Sequence, residues 1–165
     1  MKRLVALSLF VLVAVAFTFV TPVRPAPAVT PDNAPFLTGH GNLTIAGGLQ
    51  TASFHAVQHQ DGTITGSLVV KSRAQDVRIF ADIDCLSIAL NTATVSGFVT
   101  QSNNPTFPPG NRVWFRVIDN GEGANYPPDM MTDIILFPAT STVNCTTNLN
   151  FALLPIEEGN VQVHP

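Results

Sequence analysis

The sequence predicts an all-β fold, an antiparallel β-sandwich or closed β-barrel of roughly eight to ten short strands, and three observations predict it. Beyond residue 40 no stretch repeats apolar residues at i, i+3, i+4 and i+7 over three helical turns, which is the spacing that buries one face of a helix. Thr, Val, Ile and Phe dominate instead, in short runs, and branched or aromatic side chains suit a pleated surface. Clusters of Gly, Pro, Asn and Asp separate these runs, with no helical stretch between them. Parallel neighbours need a long crossover, so the strands must pair mainly antiparallel.

Taken in order, the first run is Leu43 to Gly47. Thr51 to Gln60 and Thr63 to Lys71 follow, joined at Asp61-Gly62, a hairpin turn pair. A two-residue loop there would pair residues whose numbers sum to 123 and turn His55 and His59 onto the apolar face. A three-residue loop, Gln60 to Gly62, changes the sum to 122 and sets Ala52, Phe54 and Ala56 opposite Val70, Leu68 and Gly66, one apolar face. Because a slip of one residue exchanges the two faces, the three-residue loop is predicted, with Gly62 left-handed as a G1 bulge. Val77 to Asp84 alternates, with Val77, Ile79, Ala81 and Ile83 inward; Leu86 to Leu90 reads as a further strand. Thr94 to Gln101 turns Val95, Gly97 and Val99 inward, and Arg112 to Ile118 does the same with Val113, Phe115 and Val117. Asp133 to Phe137, Asn148 to Leu154 (Leu149, Phe151 and Leu153 inward) and Asn160 to His164 complete the set. Residues 102–111 hold three prolines and Phe107; proline removes ladder donors, so this segment is a loop and Phe107 stands exposed on it.

At the N-terminus Lys2 and Arg3 precede a nearly unbroken apolar run, Leu4 to Val20, which leads to the small-residue site Ala26-Pro27-Ala28. This is the pattern of a secretory signal peptide over residues 1–28; the alternative is an uncleaved membrane anchor. Residues 29–38, with two prolines, read as a short tether before a single domain at 39–165. The expected location is therefore secreted or at the cell surface. Removal of residues 1–28 takes away Lys2, Arg3 and Arg24 and leaves five basic against eleven acidic residues, a formal charge of -6. With no basic run, nucleic acid is not an expected partner. Cys85 and Cys145 are the only cysteines, an even number in an exported chain, so one disulfide is expected, with two buried thiols as the alternative.

Candidate chemistry is sparse. Arg112, Trp114 and Arg116 share an outward stripe, readable as a tryptophan shielded by neighbouring cationic stems or, with Phe107, as a platform for a flat ligand such as a sugar. His55 and His59 are four apart, which in a strand spans about 13 Å, too far to share an ion without a bulge. His40 and His164 have no partner nearby in sequence. Asp82 with Asp84, and Glu157 with Glu158, are carboxylate pairs best explained by ion pairing or solvation. The segment from Asp119 through Glu122 and Asn125 to Asp129 combines oxygen ligands with Gly121 and Gly123. It reads as a structural turn, with a calcium loop as the weaker reading because its spacing departs from the EF-hand. No nucleophile elbow, phosphate-binding glycine loop, zinc-protease helix or dinucleotide fingerprint occurs. Asn42 and Asn144 match the N-glycosylation pattern.

Gly39-His40-Gly41, Asp61-Gly62-Thr63, Val117 to Gly123, Pro128-Asp129 and Gly159 to His164 together resemble a group of secreted bacterial all-β domains sometimes labelled post-COAP, over roughly residue 39 to the end. The resemblance implies a compact antiparallel β domain, alone or appended to larger exported proteins. It carries over no catalytic residues, and the 102–111 loop and the Leu154 to Glu158 approach depart from its pattern. The expected function is an exported non-catalytic binding or structural module with an unidentified extracellular or cell-surface ligand and no cofactor. A small barrel carrying an apolar ligand is the alternative, and a hydrolase using scattered acids comes last.

Overall fold

The computed structural model describes residues 34–45, 48–123 and 125–165. The expected signal peptide or anchor, the start of the tether and the last two residues of the first expected strand lie outside them. The described strands are β1 (Phe36–Ile45), β2 (Gly48–Gln58), β3 (Ile64–Ser72), β4 (Val77–Ala89), β5 (Thr92–Ser102), β6 (Arg112–Ile118), β7 (Met130–Thr132), β8 (Ile135–Phe137), β9 (Leu153–Pro155) and β10 (Glu158–His164). All pair antiparallel in one sheet ordered β10-β1-β2-β3-β4-β5-β6-β7-β9, with β8 beside the start of β6.

The fold is all-β, but it is neither a sandwich nor a closed barrel: the single sheet curls into a half-barrel. The physical reason lies at its far end. Pro127, Pro128 and Pro138 bracket the edge of β6, and the strands there, β7, β8 and β9, are three residues each, too short to build a second layer. On the concave side Leu37, Leu43, Phe54, Leu68, Phe115, Val117 and Val161 are buried. Phe54 of β2 meets Phe115 of β6 across the curl with ring centroids 5.1 Å apart. Each such side chain contributes about 1.5–3 kcal/mol on burial.

The β2–β3 hairpin has the predicted register, Ala52↔Val70, Phe54↔Leu68 and Ala56↔Gly66. His59 N donates to Thr63 O and Gly62 N to His59 O, while Gly62 has φ +82°, the geometry of a three-residue loop closed by a G1 bulge. His55 faces outward beside Ser67.

Several expected boundaries are corrected. β1 begins at Phe36, inside the expected tether, because Phe36 and Leu37 find partners on both sides, Val57 and Ala56 on β2 and His164 and Val163 on β10. Gly39, expected to open the domain, is instead mid-strand beneath the Phe54 ring, whose Cε2 would lie 2.8 Å from an added Cβ. The two expected strands Val77–Asp84 and Leu86–Leu90 are one strand, β4, with a register shift between Ile83 and Cys85. The extra residue, Asp84, switches the alternation: Ile83 pairs with Gly97 on the concave side, whereas Cys85 pairs with Ser96 on the convex side. β7 was not foreseen, and of Asn148–Leu154 only the end joins a strand, β9. Phe151 is not in the core but half-exposed on the convex side, 5.7 Å from Trp114.

Residues 138–152 cross the convex face as an irregular strap. Cys145 is bonded to Cys85 of β4, so the expected disulfide is present. Beneath the strap β5 is buried on both faces from Ala93 to Gly97.

Candidate functional site

Three places bring side chains together: the face beneath the strap, the loop after β6, and a recess at the β3–β4 turn. On the first, alternation along β6 does put Arg112, Trp114 and Arg116 opposite Val113, Phe115 and Val117. The indole at its centre is not open to solvent, however. Trp114 is 0% exposed, covered by Phe151 from the strap. The Arg116 guanidinium lies 5.4 Å from the indole centroid and reaches Thr94 Oγ1 at 3.3 Å and Asn148 Oδ1 at 3.5 Å. Arg112 forks onto Asp84 at 2.7 and 3.1 Å and donates to Ser96 at 3.1 Å. Of the two readings, mutual shielding describes this stripe. Phe107 is likewise not an exposed platform: it is half-buried and packs against the core.

The loop between β6 and β7 turns its carboxylates inward onto the chain. Asp119 accepts Gly121 N at 2.9 Å and Val163 N at 3.0 Å, one on each oxygen. Asp129, buried, accepts Asn120 N at 2.9 Å and Val161 N at 2.8 Å. Glu122 Oε1 accepts the side-chain amides of Asn160 and Gln162. Gly121 (φ +90°) and Gly123 (φ +108°) supply the bends. Val161 and Val163 lie at alternate positions of β10, so two aspartates cap the strand edge that faces away from β1. Asn125, the fourth calcium candidate, is exposed. The arrangement is a structural seam between the two ends of the sheet, and among the described residues no three His, Cys, Asp or Glu side chains are placed to hold a metal ion.

The other singled-out residues stand apart from one another. His59 Nε2 is 2.7 Å from Thr65 Oγ1, His40 is exposed, and His164 stacks on Phe36 with centroids 5.0 Å apart. Asp61 is held below its ordinary value chiefly by the Thr63 hydroxyl and then by the Thr63 N–H. Asn42 donates to Glu158 and accepts from Thr51, while Asn144 accepts from Thr146.

The third place was missed in the sequence. Lys71, Arg73 and Arg78 line an open recess of about 560 Å³ together with Thr51, Ser72, Asp76, Val77 and Asn103. The Asn103 side chain ties it down: Oδ1 accepts Arg78 N at 2.7 Å and Nδ2 donates to Asp76 O at 2.8 Å. The available signal was that three of only five basic residues beyond the expected leader fall within eight positions, flanking one turn.

Comparison with protein families, with curated proteins and with solved structures returned no match to this chain.

Proposed function

We propose that the chain is an exported, non-catalytic β domain acting as a binding or structural module at the cell surface or outside the cell. The observation that carries this reading is the Cys85–Cys145 bond, which fastens the strap over Trp114; such bonds persist in oxidising compartments. The apolar run and A-x-A site in residues 1–28 supply the route. The turn motifs that resemble exported post-COAP-like domains add to it. The best-placed carboxylates, Asp84, Asp119 and Asp129, accept structural donors, which weighs against a hydrolase. Phe54 against Phe115 fills the concave side, which weighs against an interior carrier. The test is expression of the full chain in a secreting host, thiol alkylation before lysis, and intact-mass measurement of each fraction. A product outside the cytoplasm that begins at Val29 and carries no alkylated cysteine is expected. A full-length, doubly alkylated product confined to the cytoplasm would overturn the proposal.

A further inference from the structure

We propose that the recess at the β3–β4 turn binds a phosphate monoester. This gives a ligand class to the module proposed above and rests on that reading. The first argument is the distribution of charge. Five basic side chains lie among the described residues. Arg112 is ion-paired to Asp84 and Arg116 is spread over Trp114. The other three, Lys71, Arg73 and Arg78, all line this one recess, and no described carboxylate forms an ion pair with them. In an acidic chain, that concentrates the attraction for anions in a single place.

Register supplies the second argument. Lys71 stands directly opposite Arg78, and like charges facing each other across a strand pair destabilise it. An anion seated between them reverses that term. The third argument is preorganisation. Arg73 N donates to Leu49 O, Asn103 N to Arg78 O, and the Asn103 side chain spans Asp76 and Arg78. The turn thus presents its cations from a fixed backbone, and less ordering is needed when a ligand arrives.

The ligand class follows from charge and donors. Three cations and the Asp76 carboxylate leave the recess at +2, which complements a monoester carrying about -1.5 to -2 at neutral pH. Arginine forks suit several phosphate oxygens at once.

The test is calorimetric titration and thermal unfolding of the exported chain with inorganic phosphate, glucose 6-phosphate, vesicles containing phosphatidic acid, and succinate. Binding of a phosphate probe with a higher unfolding temperature is expected. Whether the free ion, the sugar ester or the vesicle binds best identifies the source of the phosphate. Lys71→Gln should weaken binding about tenfold while leaving the phosphate-free unfolding temperature equal or higher, because it removes the like-charge pair. No binding of any phosphate probe at millimolar concentration, equal binding of succinate, or unchanged binding by folded Lys71→Gln would overturn the assignment. A correctly exported, disulfide-bonded chain that ignores phosphate would fail the site and leave the module reading in place.

Discussion

Replacing Cys85 and Cys145 together by alanine should separate two jobs of the disulfide. The bond joins positions 60 residues apart, so in the chain-entropy view its loss costs about 4 kcal/mol through the unfolded state. It also anchors the strap locally. Without it, residues 138–152 are held to the convex face by contacts such as Phe151 on Trp114 and Asn148 with Arg116. Trp114 is the one tryptophan in the chain, so its fluorescence reports the strap directly. Urea unfolding followed by circular dichroism should show the midpoint falling and the slope rising, because the unlinked unfolded chain exposes more surface. Acrylamide should quench Trp114 in the variant well below that midpoint and not in the parent. A stability loss under about 1 kcal/mol, or a tryptophan as shielded as in the parent, would refute the claim that the bond holds the strap down.

Gly97→Ala should be among the most damaging single changes, because its Cβ would meet the Asp82 carbonyl and lie 2.9 Å from Ile83 Cα at the β4 bulge; denaturant curves should show a loss of about 2–3 kcal/mol. Gly62→Ala meets nothing within 4 Å, so its cost is purely that of φ +82°, about 1 kcal/mol, and Gly62→Asn should cost less in the same assay. Asp129→Asn keeps the shape but turns an amide toward Val161 N–H or Asn120 N–H, two donors that now share one acceptor oxygen; a loss of about 2 kcal/mol is expected, with faster hydrogen exchange at Val161. Asp61 titrates below the ordinary carboxylate value because Thr63 bonds its charged form. Its folded value is lowered, so its contribution is present above the unfolded value and fades as pH falls through the lowered one. An NMR titration should show this, and Thr63→Ala should return the midpoint upward.

The parts of the fold that were legible in the sequence are those set by neighbours in the chain. Alternation along Arg112–Ile118 and Val77–Ile83 assigned faces correctly, and placing Ala52, Phe54 and Ala56 on one side decided a hairpin register to the residue. The β4 bulge left a trace as well, since the apolar positions change from odd, through Ile83, to even, at Leu86 and Ile88; read as two strands, that trace lost its meaning. What was not legible depends on distant chain. Nothing in Arg112 to Arg116 says that residues 138–152 will cover Trp114, because the strap has no periodicity. The curl without closure depends on three-residue strands below the length at which alternation can be seen. The basic recess needed the β3–β4 register, which alone sets Lys71 against Arg78.

The aspartate seam has a consequence for how copies of the protein meet one another. An uncapped β10 would offer Val161 and Val163 N–H groups to any passing extended chain. Here Asp119 and Asp129 already occupy those donors. A strand arriving edge to edge would have to displace two carboxylates and then set its own carbonyl oxygens beside their charges. The docking direction left open by incomplete curling is thereby guarded against self-templating, and the sheet can stop at ten strands without being extended by the next molecule.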